Sequence, residues 1–183
     1  MTTLDKEQID KIDLSYAKKL SVKNGLNFDR EAGEEAYKLY AFLSTTFDNG
    51  VILDVGSRFG NSALSLSYNE TNQVISYNIV EEGASDISKD NITWKLMDFR
   101  EDDTIDYDQV KMILIDVDPH DGKQEPEMIQ YLREKKWQGI LLLDDIHKSG
   151  EMKSFWNTFN EESKVDVTAV GHQSGTGLVE FES

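Results

Sequence analysis

Residues 51–64 read VILDVGSRFGNSAL: an apolar run, an acid, a glycine-rich turn and the start of a second apolar segment. Val51 to Leu53 make a short buried strand. Gly56 and Gly60 permit backbone angles, and a close approach by a ligand, that a side chain would block. Asn61 and Ser62 stand where a helix begins, and the free N–H groups there attract an anion such as a carboxylate. Strand, turn and helix in this order form a nucleotide-type binding edge. The spacing Asp54-x-Gly56-x-x-x-Gly60-x-Ser62 is not G-x-G-x-x-G, so the dinucleotide fingerprint is not met. The competing reading is a strand–turn–helix whose glycines serve the backbone alone.

A chain of 183 residues, 38% of them hydrophobic, suits one compact domain over 1–183. It has no apolar run long enough to span a membrane. The start, MTTLDKEQID, is polar and acidic and does not read as a signal peptide. With no cysteine there is no disulfide framework, thiolate metal site or cysteine nucleophile, which fits a reducing compartment, and a cytoplasmic location is expected. The net charge is −16, and the basic residues are scattered, with Lys18-Lys19 and Lys135-Lys136 only pairs. A phosphate backbone or an anionic membrane needs a basic face, so neither is an expected partner. A neutral small molecule or a sugar is easier to accommodate, by a monomer or homodimer.

Strand-like runs recur at 51–55, 73–80, 92–97, 111–117 and 139–143. Helical stretches are expected at 4–20, 31–46, 61–68, about 83–89, 124–136 and 150–160. Alternating strands and helices predict a parallel sheet covered on both faces. Residues 165–171 and 177–181, around HQSGT, read as a terminal antiparallel pair. The segment 1–30 is an appended helical extension, a candidate lid. Trp94, Trp137, Phe155, Trp156 and Phe159 fall at helix or strand positions and read as core.

Ligands of such sheets sit at the carboxyl ends of the strands. Strand 1 ends in Asp54, strand 2 near Asn78, strand 3 in Asp98-Phe99, strand 4 in Asp116-Val117-Asp118-Pro119-His120, and strand 5 in Asp144-Asp145-Ile146-His147. Close carboxylates repel, and a hard divalent cation resolves the repulsion. The alternative is that Asp144-Asp145 caps the next helix. His120, His147 and His172 all lie in strand-end loops.

The acid-x-Gly-x-x-x-Gly-x-Ser turn resembles motif I of the class I S-adenosylmethionine (SAM)-dependent methyltransferases. The acids after strands 4 and 5 resemble those of small metal-dependent O-methyltransferases: the catechol and caffeoyl types and, more closely, the sugar and macrolide types. The resemblance covers about 31–182 and implies a Rossmann-like α/β fold, with seven strands in the order 3-2-1-4-5-7-6 and the last antiparallel. It implies that Asp54, Gly56, Ser57, Gly60, Asn61 and Ser62 hold the methionine part of SAM, that Asp98 and Phe99 meet the adenine, and that Asp116 lies beside the cofactor. The family carries an acid for the ribose hydroxyls at the end of strand 2. Asn78 departs from that, with Glu81 as the substitute if the strand runs longer. Asp116, Asp144 and Asp145 are implied as ligands of Mg²⁺ or Mn²⁺, which would hold an acceptor hydroxyl. His120 is the favoured base for the hydroxyl proton, with Asp118 and His147 competing, and His172 lines the acceptor pocket. The expected activity is methyl transfer to a hydroxyl of a small molecule, a sugar or glycan first and a phenol or catechol second. The sequence Asp118-Pro119-His120-Asp121 does not match the Asn/Asp-Pro-Pro-Tyr loop of many N-methyltransferases. A SAM-binding protein without turnover, or an enzyme for another nucleotide-like ligand, are the remaining readings.

Overall fold

A computed structural model describes residues 4–182. In chain order the elements are α1 (Lys6–Asp10), α2 (Ser15–Leu20), α3 (Tyr37–Ser44), β1 (Val51–Val55), α4 (Asn61–Leu66), β2 (Gln73–Asn78), β3 (Ile92–Leu96) and β4 (Val110–Ile115). They continue with α5 (Gln124–Glu134), β5 (Gly139–Asp144), α6 (Gly150–Trp156), β6 (Lys164–Asp166) and β7 (Thr176–Phe181). The seven strands form one sheet in the order β3-β2-β1-β4-β5-β7-β6, as the resemblance implied. The first five strands are mutually parallel, and β7 enters antiparallel between β5 and β6.

Both faces of the sheet are buried, which is why its central strands read as continuous apolar runs. Ile52, Met112, Leu114 and Leu142 pack on one face with α3, α4 and the N-terminal segment. Leu53, Ile113, Ile115, Leu141 and Leu143 pack on the other with α5 and α6. Trp137, Phe155, Trp156 and Phe159 are buried in this second layer, as expected of core residues. Trp94 packs, partly buried, against the first.

The helical expectations need correction where polar side chains or tertiary contacts interrupt them. The stretch 4–20 is two short helices, because the Asp13 carboxylate accepts from Ser15 N–H at 2.9 Å and starts a new turn. The stretch 31–46 is helical only from Tyr37, since Gly33 N–H is drawn to the Gly171 carbonyl at 3.0 Å. Residues 83–89 hold a single 3₁₀ turn, Ala84–Asp86. Strand β2 stops at Asn78 rather than 80, and Ile79 and Val80 leave the sheet for solvent. The expected strand over 165–171 is only Lys164–Asp166, because Asp166 Oδ1 accepts from Thr168 N–H at 3.0 Å and turns the chain. No helix among the described residues is long and apolar enough to cross a membrane.

Candidate active site

A cavity of about 300 Å³ opens at the carboxyl ends of β1 to β4. Gly56, Asn78, Asp98, Phe99, Asp116 and Asp118 are all on its wall. The turn after β1 is built around glycine. Gly56 has φ 97°, and a Cβ there would lie 1.9 Å from the Asp116 carbonyl oxygen. That contact, with Asp116 N–H donating to Val55 O at 2.9 Å, presses the ends of β1 and β4 together. Gly60, with φ 82°, begins α4 where a Cβ would strike Trp94 and Ile87.

Asp54 is fully buried, with one oxygen accepting from Ser76 Oγ at 3.0 Å and the other, Oδ1, without a partner. Burial pushes its carboxyl up to about 6, against the hydroxyls of Ser62, Ser76 and Ser57. Ser57 Oγ lies 2.7 Å from Ser76 Oγ and so joins the same chain of hydroxyls. Asn61 and Ser62 are buried. Asn61 Nδ2 donates to the Lys23 carbonyl at 3.1 Å, and Lys23 Nζ stands 4.0 Å from the centre of the Phe59 ring. The N-terminal segment therefore covers the start of α4, while the cavity wall begins only at Val55.

Asn78 does something the sequence did not reveal. Its Oδ1 accepts from Arg58 N–H at 2.9 Å, and its Nδ2 donates to Arg58 O at 3.1 Å. The amide thus holds Arg58 in a left-handed conformation, φ 47°. The Arg58 guanidinium reaches Glu82 at 3.2 Å and Asp118 at 3.2 Å, joining two sides of the cavity mouth. Glu82 lines the cavity, whereas Glu81 caps Gly83 N–H at 2.8 Å. Neither Arg58 nor Glu82 carried a sequence signal, because their roles depend on the fold of the turn. Asp98 is gripped by Arg100, whose Nε lies 3.0 Å and Nη2 2.6 Å away, and its carboxyl is held below the usual range. Phe99 is buried edge-on to Tyr77 and Tyr131.

The acids of strands 4 and 5 come together beside this cavity. His120 is 5% exposed, and its Nε2 lies 3.4 Å from Asp116 Oδ1, 3.7 Å from Asp118 Oδ1 and 3.2 Å from Asp145 Oδ2. His120 and Asp145 both have left-handed backbones, φ 53° and 58°, a conformation uncommon for non-glycine residues. Burial, then Asp144 and Asp145, raises the Asp116 carboxyl well above its ordinary value. Burial would raise Asp145 too, but His172, Lys148 and Ser174 outweigh it and hold that carboxyl far below the usual range. His172 rises to about 10 through Asp144 and Asp145. His147 stands apart, with its Nε2 2.7 Å from Asp166 Oδ2.

Asp144, Asp145 and His172 each bring one ligand atom to within 4.8 Å of the others, a set that does not include Asp116. Asp144 is buried, and its Oδ1 has no hydrogen-bond partner. An orphaned, buried carboxylate oxygen beside two further donors fits a divalent cation. Asp116 stands instead beside His120.

No family model and no curated protein matches the chain. Solved structures do. The SAH-bound methyltransferase PaMTH1 from Podospora anserina is 11% identical, with 100% of this chain and 99% of that one covered and a TM-score of 0.65. The O-methyltransferase TomG from Streptomyces achromogenes, in complex with SAM, is 13% identical, with 99% and 100% covered and a TM-score of 0.57. A putative caffeoyl-CoA O-methyltransferase from Staphylococcus aureus is 12% identical, with 79% and 82% covered and a TM-score of 0.59. With the strand order observed here, these likenesses identify the fold as the Rossmann-like one of SAM-dependent methyltransferases.

Proposed function

We propose that the chain is an enzyme that moves the methyl group of SAM to a hydroxyl oxygen of a small molecule. One observation carries this reading. Asp116 and Asp118 line the cavity and also lie 3.4 and 3.7 Å from the ring of His120, so a donor cavity and a proton acceptor share a wall. The solved O-methyltransferases of the same fold support it.

SAM supplies a methyl group on a positive sulfonium, which becomes a neutral thioether on transfer. The turn that begins at Gly56 and Arg58, on the cavity wall, holds its methionine end, with Asn61 and Ser62 behind it under the N-terminal segment. Asp98 and Phe99 bound the adenine end. Asn78, engaged with Arg58, fixes the turn between them. His120 Nε2 takes the acceptor proton as the new C–O bond forms. Asp116 and Asp145, on either side, orient the ring. A divalent cation on Asp144 and Asp145 would hold the acceptor hydroxyl and lower its pKa. Alignment of oxygen, methyl and sulfur and the exclusion of water supply most of the rate.

The favoured acceptor is a sugar or glycan hydroxyl, neutral enough to approach a chain of net charge −16, with a phenol or catechol second. A second reading, a SAM-binding protein without turnover, is favoured by Asn78, whose amide is spent on Arg58 where a carboxylate would meet the ribose. Calorimetric titration of SAM and its demethylated product, followed by methyl transfer from labelled SAM to a panel of sugars and catechols with Mg²⁺ or Mn²⁺, tests both. Binding with turnover supports the enzyme, binding without turnover the second reading, and no binding overturns both.

A further inference from the structure

We propose that His172 is a metal ligand, and that Asp144, Asp145 and His172 form a mixed carboxylate–imidazole centre that selects a first-row transition ion such as Mn²⁺ over Mg²⁺. The proposal rests on the methyltransferase reading only for the ion's place beside an acceptor; the ligand set stands on the arrangement of side chains.

Asp144 is the last residue of β5 and pairs with Thr176 at the start of β7. That antiparallel pairing brings the loop before β7 back over the end of β5. His172 is fastened in that loop by its own N–H, which donates to Thr176 Oγ1 at 2.8 Å. Its Nδ1 then stands 3.5 Å from Asp144 Oδ2 and 3.6 Å from Asp145 Oδ1. These separations are long for hydrogen bonds. Ser174 Oγ lies between, 2.7 Å from His172 Nδ1 and in close contact with Asp145 Oδ1. Rotation of the serine side chain to another staggered rotamer, with release of the Nδ1 proton to solvent as the ion binds, frees both atoms for an ion. Asp144 Oδ1, buried and unpartnered, is the group most in need of one.

Asp145 divides its two oxygens between different neighbours. Oδ2 faces His120 at 3.2 Å and Lys148 at 2.7 Å, and Oδ1 faces His172 and Ser174. The metal-facing nitrogen is therefore that of His172, and His120 is left for the proton. The presence of one imidazole sets the selectivity. Mg²⁺ takes oxygen ligands in a strict octahedron and gives up water reluctantly, whereas first-row transition ions accept imidazole readily.

The test loads the full chain with Mn²⁺, without SAM or acceptor. Pulsed electron paramagnetic resonance should show nitrogen hyperfine modulation. Calorimetry should show Mn²⁺ bound roughly tenfold or more tightly than Mg²⁺. His172→Asn, with folding checked by circular dichroism, should lose the modulation and the preference while Mg²⁺ affinity stays within about threefold. His120→Asn should keep both. Absence of nitrogen modulation in the parent protein overturns the proposal. So does modulation that survives His172→Asn, or equal affinity for the two ions. Neither readout needs SAM or turnover, so failure here leaves the methyl-transfer reading to its own titration.

Discussion

Gly56 and His120 show how much single residues decide in this chain. The Asp116 carbonyl leaves no room for a Cβ at Gly56, and φ 97° disfavours one anyway. Gly56→Ala should lower unfolding stability by about 3 kcal/mol or more in urea denaturation, since strain and backbone overlap add. It should also weaken SAM binding, because the turn must shift. His120 stands among three acids, Asp116, Asp118 and Asp145. His120→Gln should lower kcat by about 10² to 10⁴ with SAM affinity retained in calorimetry, the signature of a lost base rather than a lost binding contact. At this scale the sequence spoke unevenly. The glycines and the acids after strands 4 and 5 were visible because their residue types are unusual at strand ends. The bond from Asn78 to Arg58 was not, since an amide can serve many partners and only the folded turn selects one.

Elements differ in how plainly they announce themselves. The central parallel strands β1, β4 and β5 are apolar runs buried on both faces and are legible for that reason, whereas β3, at the edge, exposes Thr93 and Leu96. The N-terminal segment and the 83–89 connection are less helical than their apolar spacing predicts, because a few apolar residues at helical spacing do not outweigh a capping acid or a tertiary hydrogen bond. Strand β3 is held to β2 partly by Asp102, whose side chain is 4% exposed. It bonds Lys95, accepts from Tyr77 Oη at 2.7 Å and accepts from Thr104 N–H at 3.0 Å. Burial would raise this carboxyl, but Lys95, Thr104 and Tyr77 outweigh it and hold it well below the usual range. The sign follows from linkage. The unfolded chain takes up a proton near the ordinary value of about 3.9, the folded chain only at lower pH, so the stabilisation is full above that value and lost as pH falls below it. Asp102→Asn should flatten the acid limb of a urea-stability profile below about pH 4, removing of order 2 kcal/mol of pH-dependent stability. An unchanged acid limb would show that Asp102 is not held in this way.

Across the whole molecule, a net charge of −16 repels itself. Raising NaCl from about 10 to about 150 mM should raise the Tm by a few degrees, since screening relieves repulsion between exposed acids. A fall in Tm would mean that ion pairs such as Lys18–Asp29 and Lys6–Asp10 outweigh it. SAM at about a hundredfold its Kd should stabilise the fold by about 2.7 kcal/mol, a Tm rise of roughly 6 to 10 °C in calorimetry. By itself, the sequence determined the layered α/β architecture, the glycine turn at the end of β1 and the acids at the ends of β4 and β5, because hydrophobic period and glycine spacing are local properties of a chain. Only the tertiary structure decided which of those acids share a site. It put Asp116 and Asp145 beside His120, Asp144 and Asp145 beside His172, and His147 out with Asp166. The reason is physical: the pairing of β7 with β5 joins residues about thirty positions apart, and no local pattern encodes which side chains that crossing brings face to face.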